Sequence, residues 1–288
     1  KDMNDTNQRF SSRLTFLLSA LGVAVGTGNI WRFPRIAASN GGDDGAGSFL
    51  IAWIIFLFLW SIPLIIVEYV MGSSARKGTI GAFTKFLGKP FAFLGGFVGF
   101  VSTAIAFYYS VVVGWNIYYF INISLNDLPS STDLSWALWN DFQGSYYPLL
   151  FHGLAMTIGG FAILKGVSSI EKVNRILIPT LLLIVLICVI RAITLPGSIE
   201  GIYYLFTPEW SQLTSSKLWL EALTQNAWDT GAGWGLFLTY AIYIRRRYGI
   251  VKNAFTTAIG NNIVSLLSAI MIFSTVFSIL GNDMNMSK

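Results

Sequence analysis

Two stretches of this chain combine glycine with polar side chains inside otherwise apolar runs. Residues 22–29 read Gly-Val-Ala-Val-Gly-Thr-Gly-Asn, and residues 229–235 read Asp-Thr-Gly-Ala-Gly-Trp-Gly. Glycine weakens a helix and exposes its backbone. Carbonyl groups freed by a helix break can bind a desolvated cation, and the amides that open the next helical segment attract a carboxylate. The chemistry indicated is therefore noncovalent binding of cations and of an anionic group.

Glycines in a membrane helix have a second use, because they allow neighbouring helices to pack closely. Gly22 and Gly26 taken alone fit that use equally well. The polar neighbours Asn29 and Asp229 favour a binding site. Exposed backbone at the centre of a membrane is tolerated only where it faces protein or a water-filled cavity.

The elements that carry these stretches are predicted to be membrane helices. The chain is 54% hydrophobic and 11% charged, whereas a typical soluble domain carries about 25% charged residues. We therefore expect an all-α polytopic membrane protein, whose helices need ~20 residues each. The apolar runs predict seven helices, over residues 14–38, 48–71, 91–124, 147–164, 173–194, 218–244 and 252–280.

Other functional classes find little support. Glu68 and Asp229, the only acids deep in predicted helices, lie on different helices without a nearby His, Cys or metal-ligand spacing, which argues against an enzyme. The single cysteine, Cys188, lies in an apolar run and is predicted to be inert packing. A channel should have a polar stripe along several helices, whereas polarity here concentrates at the two breaks. Nothing in the sequence supports nucleic-acid binding.

Basic residues alternate between the two sides of the predicted bundle. Fourteen of the 19 Lys and Arg residues fall on one side, and the loop 127–146 between helices 3 and 4 has none. Cytoplasmic loops carry the excess of positive charge. We therefore expect a multi-pass protein of the cell inner membrane, with a cytoplasmic segment 1–13 at its start.

The broken helices are the first and the sixth, so they cross the membrane in opposite directions. This arrangement is typical of an inverted-repeat transporter with its site at the repeat interface. Residues 14–194 would form the first repeat, with helices 1–5, and residues 218–280 would begin the second, with helices 6–7. We expect the sequence to be a fragment that lacks about three helices of an incomplete second repeat.

Several motifs of the chain resemble those of the neurotransmitter:sodium symporter family. The most specific is Gly-Asn-Ile-Trp-Arg-Phe-Pro at 28–34, and weaker matches are Asn-Gly-Gly at 40–42, Glu-Lys-Val-Asn-Arg at 171–175 and Thr-Pro-Glu-Trp at 207–210. The resemblance implies a leucine-transporter fold with discontinuous helices 1 and 6, of the bacterial or archaeal amino-acid transporter type. It also implies sodium-coupled symport of neutral, hydrophobic amino acids by alternating access.

The resemblance assigns sodium ions as the coupling ions, with no other metal and no cofactor. One sodium site would use the Ala24 carbonyl and the side chains of Asn29, Asp229 and Asn261. A second site would use the carbonyls of Gly22 and Val25, together with ligands in helix 8, which this chain lacks. For Asn261, an interhelical hydrogen bond remains the alternative role.

The substrate implied is an amino acid. Its carboxylate would bind the amides of Thr27 and Gly28 and the Tyr109 hydroxyl. Its ammonium would bind carbonyls of Ala24, Trp228 and Gly231, and its side chain would contact Ile105, Trp228, Gly231 and Trp234. Monoamine carriers of the family have an aspartate where Gly26 stands, which favours a zwitterionic substrate here.

Two charged residues have other implied roles. Arg32 matches the extracellular gate arginine of the family, whose acidic partner would lie beyond this chain. Glu68 is expected to bond backbone groups freed in helix 1, as structural support. The partners expected besides sodium and substrate are membrane lipid and, as an open alternative, a second copy in a homodimer.

The chain departs from the family most at Asp229, where relatives usually have Ser or Thr. Trp53 also replaces a tyrosine that chloride-dependent members use, although Gln225 and Ser265 match their pattern. Our hypothesis is that Asp229 supplies the negative charge that chloride supplies elsewhere, which makes transport chloride-independent. The alternatives are that Asp229 caps a helix amino terminus, or that the protein is a transport-inactive or proton-coupled homologue with Asp229 as the titrating group.

Overall fold

The computed structural model describes residues 9–245 and 248–280, and that part of the chain is helical without a strand. Lys1, Arg246 and Arg247, which contributed to the orientation argument, lie outside the described residues. The helices are α1 Arg13–Ala24, α2 Gly28–Ser39, α3 Gly47–Ala75, α4 Thr79–Leu87, α5 Lys89–Leu125, α6 Thr132–Gln143, α7 Tyr147–Ile163, α8 Val167–Ile193, α9 Ser198–Phe206, α10 Ser216–Thr230, α11 Leu236–Ala241 and α12 Ile250–Leu280.

Four continuous helices in the described ranges are long and apolar enough to span a membrane, namely α3, α5, α8 and α12. The first predicted helix is present as two pieces, α1 and α2, which meet at an angle of 56°. The sixth is present as α10 and α11, and the fourth as the 17-residue α7. The prediction of an all-α membrane protein with discontinuous first and sixth helices is therefore confirmed.

Three helices were not predicted, because they lie outside the long apolar runs. They are α4, α6 and α9, and α6 occupies part of what was read as the polar loop 127–146. Ser131 caps α6 by accepting a hydrogen bond from the Leu134 amide at 3.3 Å. The side chain of Cys188 is exposed on α8, and its predicted inertness stays a prediction.

The break between α1 and α2 needs no left-handed backbone. Val25 is extended, with φ −79° and ψ 119°, and α2 begins with a π-helical turn over Gly28–Arg32. The Asn29 side chain stabilises this geometry, because its Oδ1 accepts a hydrogen bond from the Gly26 amide at 2.8 Å. A side chain close in sequence therefore satisfies a backbone group that the break frees.

The break between α10 and α11, in contrast, contains left-handed backbone. Gly231, Gly233 and Gly235 all have positive φ, at 65°, 92° and 75°. Residues with a Cβ rarely adopt this conformation, so the alternating glycines are a backbone requirement. The break leaves α11 with only six residues, Leu236–Ala241.

Helix α12 brings the two breaks together. It packs against both pieces of the first broken helix and against α3, α8, α9 and α10. The buried rings of Phe33, Phe49 and Trp53 pack where α2 meets α3, with 4.4 Å between the centroids of Phe33 and Trp53. The site is thus built on packed helices rather than on loops.

Candidate functional site

A buried polar network joins the two breaks through α12. The Asn29 amide nitrogen donates to Asn261 Oδ1 and to Ser265 Oγ, both at 2.8 Å, and Ser265 Oγ donates to Asp229 Oδ2 at 3.1 Å. Asn29, Asn261 and Ser265 are fully buried, and Asp229 is 2% exposed. The structure therefore brings together the three side chains predicted for the first sodium site.

Asp229 carries the feature of this network that fits a cation. Its second oxygen, Oδ1, is buried and has no hydrogen-bond partner among the described residues. A buried charge that is not paired with an opposite charge is costly, and a bound cation would offset that cost. Asp229 lies in the last turn of α10, so the alternative that it caps a helix amino terminus is wrong.

Asn261 makes the interhelical hydrogen bond that was the alternative to a ligand role. Its Oδ1 accepts from Asn29, while Asn29 Oδ1 accepts from Gly26. The side-chain amide oxygens of both residues thus already accept hydrogen bonds. An ion that binds both oxygens must rotate these amides or displace their hydrogen-bond donors. The donor set of amide and carboxylate oxygens matches the oxygen ligands of hard cations.

A cavity of about 540 Å³ is lined by Gly28 and Trp228, the sequence neighbours of Asn29 and Asp229. Thr27 Oγ1 donates to the Tyr109 hydroxyl at 3.3 Å at its edge. Thr27 and Gly28 lie where α2 begins, and a helix leaves its first amides without intrahelical partners. The lining comprises Thr27, Gly28, Trp31, Arg32, Arg35, Tyr108, Tyr109, Val112, Asn116, Thr224 and Trp228.

Only some of the predicted substrate residues line this cavity. Thr27, Gly28, Tyr109 and Trp228 line the cavity. Trp234 contacts Trp228 edge to face, with ring centroids 5.3 Å apart, and lies one layer behind the cavity wall. Ala24, Ile105 and Gly231 do not line it either.

The glycines of the first break differ in what surrounds them. A Cβ at Gly22 would lie 2.7 Å from Asn174 Oδ1 on α8, and one at Gly28 would lie 3.1 Å from the Trp228 ring. A Cβ at Gly26 would meet only the Tyr109 hydroxyl, at 3.9 Å. Gly22 and Gly28 thus permit close packing, whereas Gly26 leaves space beside the predicted substrate tyrosine.

Arg32 closes one side of the cavity. Its Nη1 donates to Gln225 Oε1, and its guanidinium carbon lies 5.6 Å from the centroid of the Trp228 ring. Such stacking of a guanidinium over an indole is favourable. Glu221 and Asp229 are the acidic groups whose charges act on Arg32 in the described part of the chain.

Glu68 does not bond the first break, and that prediction is wrong. Its Oε1 accepts from the Gly233 amide at 2.6 Å, and its Oε2 accepts from the Leu238 amide at 3.0 Å. Glu68 on α3 therefore supports the second break. Its hydrogen bonds go to backbone amides freed by a break, as expected, but by the break of the other helix. The role of structural support itself stays a prediction.

The residues noted for the chloride pattern also lie at the network. Gln225 Nε2 donates to the Gly28 carbonyl at 3.2 Å. Trp53 Nε1 is buried without a hydrogen-bond partner among the described residues, as is Asp229 Oδ1. The indole that replaces the family's tyrosine is nevertheless close enough to interact with the Asp229 carboxylate.

Sequence reasoning missed several residues that line the cavity. Arg35 follows Arg32 by one helical turn, and Val112 and Asn116 follow Tyr109 at helical spacing. Residues three or four apart share a helix face, so this spacing was the signal that could have found them. The other omissions follow the same periodicity, since Trp31 lies four residues after Thr27, Thr224 four before Trp228, and Tyr108 four before Val112.

Comparisons with known proteins agree on one family. The model of the sodium:neurotransmitter symporter family matches residues 7–144 and 145–287. A sodium-dependent transporter of Methanocaldococcus jannaschii is 33% identical over 93% of this chain and 56% of its own length. The sodium-dependent neutral amino acid transporter B(0)AT3 of Rattus norvegicus is 33% identical over 98% of this chain and 50% of its own length.

A solved structure gives the same result for the fold. The crystal structure of MhsT in complex with L-phenylalanine superposes with a TM-score of 0.85 at 30% identity, over 97% of this chain and 63% of that chain. The present chain thus spans about half to two thirds of the length of these relatives.

Proposed function

Because the chain belongs to the sodium:neurotransmitter symporter family, we propose that it is part of a sodium-coupled symporter of neutral, hydrophobic amino acids. Transport would proceed by alternating access, without covalent chemistry. The observation that carries the proposal is the cavity whose lining includes Thr27 and Gly28 at the amino end of α2, Tyr109, and Trp228, the residue before the buried Asp229.

In this proposal the substrate carboxylate binds the amides of Thr27 and Gly28 and the Tyr109 hydroxyl. The positive end of the α2 dipole supports that orientation. The substrate ammonium donates hydrogen bonds to the carbonyls of Ala24, Trp228 and Gly231. Aromatic and aliphatic groups then surround the substrate side chain, namely Ile105, Trp228 and Trp234.

Two sodium ions would occupy the region of the first break. The first would bind Asp229, Asn29, Asn261 and the Ala24 carbonyl, and the second would bind the carbonyls of Gly22 and Val25 with ligands supplied from outside this chain. The buried oxygens around Asp229 support the first site. A sodium ion there would neutralise the carboxylate at a depth where an unpaired charge is costly.

The proposed orientation places the amino-terminal segment in the cytoplasm of a cell and the protein in its inner membrane. Arg32 and the cavity then face the outside, where Arg32 would act as a gate. Residues 14–194 would form one repeat, and residues 218–280 would begin an inverted second one. The opposite directions of the two broken helices support this division.

A direct test is uptake by proteoliposomes that contain the complete gene product. A panel of radiolabelled neutral amino acids is offered with an inward sodium gradient and, as the control, with choline in place of sodium. We expect concentrative uptake of a hydrophobic amino acid only with sodium. Equal uptake in both media would contradict the proposal, and uptake driven by a proton gradient alone would favour the proton-coupled alternative.

Chloride independence is the finer part of the proposal. Asp229 places a fixed negative charge beside Gln225 and Ser265, so no mobile anion is needed there. We expect wild-type uptake to be unchanged when gluconate replaces chloride, and we expect the Asp229→Ser variant to require chloride. A collapse of wild-type uptake in gluconate would contradict this assignment while leaving sodium coupling intact.

A further inference from the structure

A second buried polar cluster lies between α3 and α10, on residues that the proposed function does not use. Ser61, Asn226 and Thr230 are all fully buried. Ser61 is the last residue of a π-helical turn, Leu57–Ser61, in the middle of α3. Such turns are rare and occur frequently at functional sites.

The cluster ties the two helices by hydrogen bonds in both directions. Ser61 Oγ donates to Asn226 Oδ1 and lies 2.9 Å from Thr230 Oγ1. Asn226 Nδ2 donates to the Trp53 carbonyl at 3.1 Å, two turns earlier on α3. Because Asn226 uses both ends of its amide on one neighbouring helix, it fixes its own rotamer and the face that α10 presents to α3.

Gln225, the residue before Asn226, makes a comparable contact to α2, the second piece of the first broken helix. Gln225 Nε2 donates to the carbonyl of Gly28, the first residue of the π-helical turn in α2. Consecutive residues of a helix point about 100° apart. The two side-chain amides of α10 therefore reach α2 and α3 separately, and together they define its rotation.

That rotation matters because α10 ends immediately afterwards. Trp228 and Asp229 lie within its last turn, and the left-handed backbone at Gly231 follows. No continuing helix follows the end of α10, so a small rotation would move the Asp229 carboxylate away from Ser265, which bonds its Oδ2. Buried hydrogen bonds to a neighbouring helix are a suitable restraint, since they cannot exchange with water.

We propose that Ser61 and Asn226 are positioning residues, which fix the rotation of α10 and thereby set the sodium affinity at Asp229. The inference rests on the proposed sodium site. It predicts that substitutions in this cluster lower the affinity for sodium, whereas the affinity for substrate at saturating sodium stays nearly the same. A role in general stability alone would not separate these two quantities.

The test measures binding of a radiolabelled neutral amino acid to the purified complete gene product as sodium is varied. For Ser61→Ala we expect the sodium concentration at half-saturation to rise about tenfold, as expected for loss of one buried hydrogen bond. Substrate affinity at saturating sodium should stay within about threefold. Ser61→Thr, which keeps the hydroxyl, should restore the wild-type sodium dependence.

Ser268→Ala is the matched control. Ser268 is also fully buried, but its hydroxyl donates within α12, to the Val264 carbonyl at 2.9 Å. It should leave the sodium dependence unchanged. Thr230→Val, which removes a hydroxyl from the cluster at nearly constant volume, is a second variant for the case that Ser61→Ala does not fold, and it should shift sodium half-saturation in the same direction.

The outcomes separate this inference from the proposed function. If wild-type binding does not depend on sodium, the proposed function fails and this inference fails with it. If wild type depends on sodium but neither Ser61→Ala nor Thr230→Val shifts the half-saturation, the positioning role alone is overturned. An equal shift in Ser268→Ala would overturn it as well, because a generic loss of buried hydroxyl groups would then explain the data.

Discussion

The two helix breaks contain similar residues but are stabilised in different ways. Between α1 and α2 every backbone angle is accessible to any residue, and Asn29 satisfies the freed Gly26 amide from within the same segment. Between α10 and α11 three glycines adopt positive φ, and Glu68 on α3 satisfies the freed amides. The first break is thus locally encoded, whereas the second depends on a neighbouring helix.

This difference assigns distinct roles to the glycines. In the first break, Gly22 and Gly28 are needed for close approach of other helices, and Gly26 leaves space at the cavity. In the second, Gly231, Gly233 and Gly235 are needed for the backbone itself. A glycine-rich break in a sequence does not by itself reveal which of these demands applies.

The largest effect should follow from removal of Glu68. In Glu68→Ala the amides of Gly233 and Leu238 lose their acceptor at a buried position, and each loss of a charged partner costs about 1.5–3 kcal/mol. We expect a fall in unfolding free energy of about 3–6 kcal/mol, measured by thermal unfolding of the detergent-purified complete gene product. Glu68→Gln keeps one acceptor and should lose less.

The matched control for Glu68→Ala is Glu221→Ala, in the half-buried part of α10. It should change stability little, because no hydrogen bond to a freed backbone amide is removed. If Glu68→Ala were as stable as the control, the second break would not depend on α3, and the contrast between the two breaks would be lost.

A pair of alanine substitutions should separate the roles of the glycines. A Cβ at Gly235 would lie 2.7 Å from Val98 Cγ1 and would have to adopt φ 75°. We expect Gly235→Ala to cost about 2–4 kcal/mol in unfolding free energy, from backbone strain and overpacking together. Thermal unfolding midpoints of the purified variants measure this cost.

Gly26→Ala is the counterpart in the first break. Its Cβ meets no atom closer than 3.9 Å, so stability should stay within about 0.5 kcal/mol. Its methyl group enters the space beside the Tyr109 hydroxyl, and substrate affinity should fall. Equal losses of stability in Gly26→Ala and Gly235→Ala would show that both breaks depend on glycine in the same way.

The fold was largely predictable because the apolar runs that form membrane helices, and the glycines that break them, are features of the local sequence. The long apolar runs and the glycine clusters sufficed for the spans and for the positions of the two breaks. Which break Glu68 faces was not predictable, since both lie within reach of a residue on α3. The bond from Ser61 to Asn226 was equally hidden, because it joins residues 165 positions apart.

A smaller effect tests the close packing of α1. A Cβ at Gly22 would lie 2.7 Å from Asn174 Oδ1 on α8. We expect Gly22→Ala to lower the unfolding free energy by about 1–3 kcal/mol through overpacking. The variant Asn174→Ala removes the opposing group, so the double variant should recover most of the loss. Additive losses in the double-mutant cycle would mean that Gly22 serves a different purpose.

The smallest effect concerns Glu209, which lies outside the membrane-spanning segments and joins the segment before α10 to the loop after α2 and to the start of α3. Its carboxylate accepts from the Asp44 amide at 3.4 Å, in the loop after α2, and its carbonyl accepts from Ser48 at 2.6 Å. Donation from the Ser211 hydroxyl, at 2.7 Å, lowers the pKa of Glu209. This contact should therefore stabilise the folded state only while the carboxylate is charged.

The sign of the pH dependence follows from that lowered pKa. An unfolded glutamate titrates near pKa ~4.3, so the stabilising contribution is present above that pH and is lost as the pH falls through the lower folded-state pKa. Ser211→Ala should lower the unfolding midpoint slightly at neutral pH, and its difference from wild type should shrink below about pH 4. Ser135→Ala, whose exposed hydroxyl bonds only its own helix, is the control. A difference that grew on acidification would mean that these segments are held together by something other than the charged Glu209.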